Sequence, residues 1–181
     1  MSVGSRHAPV IVVGGGNAGL IAAISAREAG SEVILLERSE RDERGGNSRY
    51  ASGIFRFAHS GVDGLRALAV DDVDWRSVRA SPYPADLYLS DIVGDAGPEI
   101  VDRRLVEVFA RDSLETVRWL IEHGVSFRLN TVSGSSPNVI QVPNGGELIV
   151  VGNGRALVEA LYGRAEAIGV DICYGSRVGD V

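Results

Sequence analysis

A single cysteine, Cys173, stands in 181 residues, so no internal disulfide can form and no cysteine-built metal cluster is available. Positive charge is short as well: 18 basic side chains face 24 acidic ones, giving a formal charge of −6 and a pI near 5.1. A chain this acidic offers no electrostatic footprint for nucleic acid or an anionic membrane surface. Nowhere does an apolar run reach the ~18 residues that a spanning helix requires. The apolar stretch 9–24 follows Arg6 in the manner of a secretory h-region. Three glycines and Asn17 interrupt it, however, and it runs into Arg27 and Glu28 without a small-residue cleavage site. Cytoplasm is the expected location. Internal repeats and low-complexity tracts are absent.

What is present is a soluble globular balance, 45% hydrophobic and 23% charged, at a length suited to one domain or a little more. Glycine is the outlier, 23 residues or about 13%, against ~7% in ordinary proteins. Val10–Val13 reads as a strand buried on both faces. A glycine run follows, then a helix over Leu20–Ala29 ending at Gly30, with Ala22, Ala23 and Ala26 forming a small-residue face. Val33–Glu37 reads as a second buried strand. Strand, helix and strand within thirty residues make a βαβ unit with a right-handed crossover. The pattern turns helical between Asp86 and Gly124, where Asp112 and Glu115 have capping-box spacing and Leu114, Val117, Leu120 and Ile121 share a face. A turn-rich segment from Asn130 to Gly146 contains Gly134, Pro137, Pro143 and Asn144-Gly145. A strand over Glu147–Val151, a helix over Ala156–Ile168 and a strand over Val170–Tyr174 close the pattern.

Gly14, Gly16 and Gly19 have G-x-G-x-x-G spacing between the first strand and the first helix. The first glycine permits a tight turn, the second lets main chain approach a pyrophosphate, and the third allows close helix–strand packing. The phosphates then meet the amides and positive dipole end of the helix opening near Asn17. Glu37, at the end of the second strand, stands 18 positions past Gly19, close to the ~20 expected of the acid that receives ribose hydroxyls. This constellation points to an adenine dinucleotide.

Arg44-Gly45-Gly46-Asn47-Ser48 is a second glycine-rich, hydroxyl-bearing loop placed just after that acid. It can wrap amides around the middle of a cofactor longer than NAD. With these residues the chain resembles the FAD-dependent fumarate reductase and succinate dehydrogenase flavoprotein superfamily, most nearly its tricarballylate dehydrogenase-type members. Val13 to Leu20 and Arg44 to Arg49 carry the resemblance most specifically. Trp119 to Val125 and Gly152-Asn153-Gly154-Arg155-Ala156-Leu157 look similar too.

The resemblance implies an α/β, Rossmann-like FAD-binding domain of GR2-type βαβ topology. Its core would occupy about 8–60, a helical insertion about 85–125, and the return to the core about 147–181. It places the FAD pyrophosphate on Gly14, Gly16 and Gly19 with the amides of Asn17 and Ala18, the ribose on Glu37, and the adenine near Arg38. Gly45, Gly46, Asn47 and Ser48 would run beside the ribityl chain and flavin, with Ser48 a hydrogen-bond partner of the isoalloxazine. Relatives that attach flavin covalently use a histidine near this loop. After this loop no histidine comes until His59, so the flavin is expected to be noncovalent. Family members are longer, which implies an N-terminal portion lacking the capping domain, the arginine proton donor and a C-terminal glycine-rich segment. A truncated chain, a short gene product and one piece of a split protein are equally compatible with that. The implied activity is hydride transfer through flavin N5 at a CH–CH bond of a small carboxylate. A ketosteroid-type dehydrogenase, a noncatalytic dinucleotide-binding subunit needing a partner chain, and an NAD-dependent dehydrogenase are the alternatives.

Other residues carry simpler readings. Asp71, Asp72 and Asp74 fit a solvated loop rather than a metal site. His59 is read as a packing or exposed residue, and His123 as a cation at a helix C-terminus. Arg155 is either a partner for an anionic substrate near the flavin or a surface residue. Cys173 is read as a buried thiol, and Trp75 and Trp119 as core or interface residues.

Overall fold

Short β-branched runs alternate with helices. The computed structural model, which describes residues 7–97, 99–132 and 138–179, resolves them into β1 (Val10–Val13), α1 (Asn17–Glu28), β2 (Val33–Leu36), β3 (Ile54–Phe55), α2 (Val62–Arg66), β4 (Val78–Arg79), α3 (Ala85–Ala96), α4 (Arg103–Glu122), β5 (Phe127–Leu129), β6 (Ile140–Gln141), β7 (Leu148–Val150), α5 (Asn153–Ala167) and β8 (Asp171–Cys173). The chain forms two compact units. One comprises 1–51 with 152–181, and the other comprises 52–151.

In the first unit β1, β2 and β8 form a parallel sheet in the order β1-β2-β8, with Val10 opposite Val33 and Ile34 opposite Asp171. Parallel neighbours need crossovers, and α1 and α5 supply them. Leu20, Ala23 and Ile24 of α1 and Leu157, Val158, Leu161 and Ala165 of α5 are buried with Val33, Ile34 and Leu35. Each large side chain of that set contributes roughly 1.5–3 kcal/mol by leaving water. The small face of α1 is narrower than its alanines suggest, because Ala23 is buried while Ala22 is exposed. β1 departs from expectation as well: Ile11 and Val13 are 56% and 61% exposed. It is the edge strand, and only its other face meets the helices. Cys173 is half-buried rather than buried.

Glycine sets how closely α5 approaches the segment before it. A short 3₁₀ turn spans Gly46–Tyr50. A Cβ on Gly154 would fall inside contact distance of the Ser48 carbonyl and 2.7 Å from that of Ala51. The Gly154 amide donates to the Ala51 carbonyl at 2.9 Å. Helix and turn therefore meet backbone to backbone.

In the second unit short strands flank the helical stretch in sequence. β3, β7 and β5 form an antiparallel sheet in the order β3-β7-β5, and β4 pairs with β6 in parallel. The helical region between Asp86 and Gly124 divides into α3 and α4. Asp102, not Asp112, caps α4, its carboxylate accepting from the amides of Arg104 and Leu105. Asp112 lies mid-helix and pairs with Arg111. Val117 and Leu120 are buried on the expected face, and Tyr83, Tyr88 and Ala110 form a small cluster against Leu89 and Ile92. His123 stacks on Trp119 at 3.7 Å at the end of α4, and Trp75 lies under the Arg66 guanidinium. Gly134 and Pro137 of the turn-rich segment lie outside the described residues.

Two glycines of α5 are expected to behave oppositely. Gly154→Ala should lower stability by about 1–3 kcal/mol, the range for overpacking. Gly163→Ala, where nothing lies within 4 Å of the added methyl, should raise it by roughly 0.5–1 kcal/mol through backbone entropy. Denaturant midpoints of the two variants check both.

Candidate functional site

Parallel α/β sheets bind ligands beyond the carboxyl ends of their strands, and there the first unit has a cavity of about 310 Å³. It is lined by the β1–α1 glycines, by Leu36 to Ser39 after β2, by Gly46, and by Ser176 to Val178. A larger cavity of about 540 Å³ opens at His7, Glu32, Val33 and Asp171. It lies at the opposite, amino ends of the strands, away from the glycines.

Gly14 adopts φ +92°, and its amide donates to the Leu36 carbonyl at 2.8 Å, pinning the turn to β2. A Cβ on Gly19 would overlap the Gly14 carbonyl, so this glycine serves helix–strand contact, as its place in the motif requires. Gly15, which the spacing left as a variable position, is the most confined of the three consecutive glycines. A Cβ there would overlap the Tyr162 hydroxyl and lie 2.8 Å from Glu37 Oε2. Gly16 is freer, its nearest neighbour being Ser48 Oγ at 3.4 Å from an added Cβ.

Glu37 is 5% exposed and holds the loop from below. Its Oε2 accepts from the Gly15 amide at 2.7 Å and its Oε1 from the Ser39 amide at 2.8 Å. The acid is thus a clamp on the glycine turn, and it also lines the cavity. Arg38 lines the cavity and is exposed. The Asn17 amide donates to Ser48 Oγ at 3.2 Å, which joins the two glycine loops. Among the described residues no acceptor meets the amides of Gly16 and Ala18, and Asn17 Oδ1 is buried without a partner. α1 has neither a side-chain cap nor an acid in its first turn. A helix start with unmet amides facing a glycine-walled cavity suits a pyrophosphate, and Glu37 at its edge suits a ribose. These residues fit an adenine dinucleotide.

Arg44 is the residue that motif reading passed over. Its side chain is only 9% exposed. Nη2 donates to Glu159 Oε2 at 2.5 Å, Nη1 to the Tyr174 hydroxyl at 2.7 Å and to Glu166 Oε1 at 3.2 Å. The guanidinium also lies 4.3 Å over the Tyr162 ring. Burial would lower its pKa, but the bonds to Glu159 and Tyr174 outweigh that and hold it above the ordinary range. Arg44 in turn pulls the Glu159 carboxyl below its usual value. Burial pushes the Tyr162 phenol up. This network welds the second loop to α5, and Gly45, at φ +102° and pressed on Val158, completes the seat. Gly46 and Asn47 stand exposed on the same loop. The signal was present in the sequence, since Glu159, Tyr162 and Glu166 recur at helical spacing on one face.

These features separate FAD from a shorter dinucleotide only together with a comparison. The profile of the FAD binding domain family matches residues 9–181. The chain belongs to that family. It is 31% identical over 169 residues to a cytochrome-type fumarate reductase of Shewanella frigidimarina, a match that takes in 93% of this chain and 26% of the relative. It is 28% identical over 167 residues to vinyl phenol reductase of Lactiplantibacillus plantarum, covering 90% of this chain and 28% of the relative. A solved 3-ketosteroid-delta4-(5alpha)-dehydrogenase from Rhodococcus jostii matches with a TM-score of 0.67 at 23% identity over 93% of this chain and 38% of that one. The open conformation of a flavocytochrome c3 fumarate reductase gives 0.66 at 24%, over 97% and 28%. At such identities these two structures speak to the fold alone. The FAD-binding chain spans about a quarter of the length of the curated relatives it matches.

In the second unit His59 is buried, its side chain 0% exposed, 3.3 Å from Glu147 Oε1. His59 Nδ1 accepts from the Gly61 amide at 3.0 Å, which leaves the ring proton on Nε2, facing Glu147. The Glu147 carboxylate also accepts from the Gly145 and Gly146 amides at 2.5 and 2.9 Å. Burial would raise its pKa, but His59 and the two amides overcome that and hold it below the usual glutamate value. His59 is therefore a buried packing histidine held through Nδ1 by the Gly61 amide. Two of the aspartates read as a loop accept backbone amides: Asp74 locally from Arg76, and Asp71 from Leu129, 58 positions on.

Two measurements follow from these geometries. Glu37→Ala leaves two amides without an acceptor and should cost roughly 1–3 kcal/mol of stability, while Glu37→Gln, which can meet only one of them as an acceptor, should fall between. Equilibrium denaturation of both variants tests this. The depressed pKa of Glu147 means its stabilisation is complete above the ordinary glutamate value and is lost as pH falls through the lower folded-state value. Stability should decline along that acid limb, and Glu147→Gln should flatten the decline.

Proposed function

We propose that these residues hold FAD noncovalently for an oxidoreductase that moves a hydride between flavin N5 and a carbon beside an electron-withdrawing group, forming or saturating a C=C bond. The observation that carries the reading is the glycine-walled cavity over the unmet amides at the start of α1, in a chain belonging to the FAD binding domain family. Bound flavin supplies the two-electron chemistry, and the protein supplies position and electrostatics.

In this reading Gly14, Gly16, Ala18 and Gly19 hold the pyrophosphate, Glu37 the ribose and Arg38 the adenine edge. Gly45, Gly46 and Asn47 flank the flavin end. Ser48 Oγ, already accepting from Asn17, keeps its hydroxyl hydrogen to give to the ring. Noncovalent attachment is supported by His59, whose two nitrogens face Gly61 and Glu147. The preferred substrate class is a small di- or tricarboxylate, of fumarate–succinate or tricarballylate kind. The fumarate reductase named among the relatives supports it. The vinyl phenol reductase name widens the class to other activated C=C bonds. The proton-donating and substrate-gripping groups are proposed to come from polypeptide outside these residues, which the share of the relatives covered supports.

Purified protein should be yellow and release free FAD on denaturation. Colourless protein that binds NADH overturns the reading, and flavin that stays with the denatured chain overturns noncovalent attachment. Gly16→Val should fold, because Ser48 Oγ stands 3.4 Å from the new Cβ, yet lose FAD affinity at least tenfold, about 1.4 kcal/mol, in a fluorescence titration.

A further inference from the structure

A third cavity in the first unit, of about 420 Å³, is lined by Arg41, Asp42, Arg44, Arg49, Arg155 and Glu159. It shares no residue with the dinucleotide cavity. We propose that it is a binding site for a small multivalent oxyanion, a phosphate or a di- or tricarboxylate.

Charge is the first ground. Four guanidinium groups face two carboxylates in a chain whose overall charge is −6, so this wall is positive against the general field of the protein. Glu159 is already consumed, 2.5 Å from Arg44 and 3.8 Å from Arg49. Arg41 turns to Glu166 at 2.9 Å. Arg155 is exposed, and among the described residues it has no ion pair.

The second ground is a buried donor. Arg44 Nε is buried and meets no acceptor, in a side chain only 9% exposed whose Nη1 donates to Tyr174 and Glu166 and whose Nη2 donates to Glu159. A buried N–H without an acceptor is costly, and in this proposal the oxyanion in the cavity that Arg44 lines supplies that acceptor. The start of α5 adds to this. Arg155 stands in its first turn, which contains no acid and has no side-chain cap. A cation at the positive end of a helix is unfavourable, and a bound anion relieves that conflict. All 18 basic residues of the chain are arginines, whose planar forks suit paired carboxylate or phosphate oxygens.

The test is calorimetric titration of chain whose FAD content has first been read from flavin absorbance, with inorganic phosphate in one arm and citrate in the other, at constant ionic strength. Saturable binding at one site is expected, weakened at least tenfold by Arg155→Ala and by Arg41→Ala, with flavin content unchanged. Arg155→Lys, which keeps the charge without the fork, is expected to recover part of the loss. Heat in the phosphate arm alone assigns a phosphate-bearing ligand, heat in the citrate arm alone a polycarboxylate, and heat in both the shared oxyanion chemistry. Three results overturn the proposal: no saturable heat with either anion, binding that survives both alanine variants unchanged, or binding seen only in FAD-free chain. The last would assign the anion to the dinucleotide cavity. Flavin content is read before any anion is added, so a failure of the FAD reading appears separately.

Discussion

Glycine main chain packs without a methyl group's room at three places in the first unit, twice against backbone and once against the Tyr162 and Glu37 side chains, and the candidate nucleotide cavity depends on them. Gly19 lets α1 close on the Gly14 carbonyl, Gly15 lets the loop lie on Tyr162, and Gly154 lets α5 sit on the turn after Gly46. Each contact brings amides or helix ends to the carboxyl edge of a three-stranded parallel sheet, where an anion can use them. Side chains at these positions would separate the layers, and the amides of Gly16 and Ala18 would no longer converge.

Charged side chains fix what the glycines permit. Glu37 takes the amides of Gly15 and Ser39, and so sets the loop before any ligand arrives. Arg44 does the corresponding work for the second loop, from beneath, through Glu159, Glu166, Tyr174 and the Tyr162 ring. Tyr162 stands between the two, its hydroxyl behind Gly15 and its ring under Arg44. Such preorganisation matters for a large, flexible dinucleotide, because order already present in the protein is not taken from binding. The second unit uses the same device for a different end: Glu147 gathers His59 and two glycine amides in its interior.

Local sequence carried much of the fold. The β1–α1–β2 unit, α5 and β8 were legible because their apolar periods match buried strands and helices. Reading stopped where the signal is not local. β1 looks buried on both faces, yet Ile11 and Val13 are exposed because strand position in the sheet, not composition, decides coverage. Capping-box spacing at Asp112 lost to Asp102, since the helix begins wherever its first turn is satisfied, and Asp112 is spent on Arg111. β7 was legible, but the other strands of 52–151 were hard to see because several are two residues long and paired across large sequence separations.

By itself the sequence determined the glycine spacing, the acid after β2 and the second glycine loop, hence a candidate dinucleotide site at a helix start, because those depend on backbone freedom and charge within a few dozen residues. Only the tertiary structure decided that Gly15 is the confined glycine, that Glu37 clamps the loop, and that Arg44 is buried in a network with α5. The first and last of those facts arise from residues more than a hundred positions apart meeting in one core. The Glu37 clamp depends on which way a side chain turns across the strand end, and no local pattern encodes either.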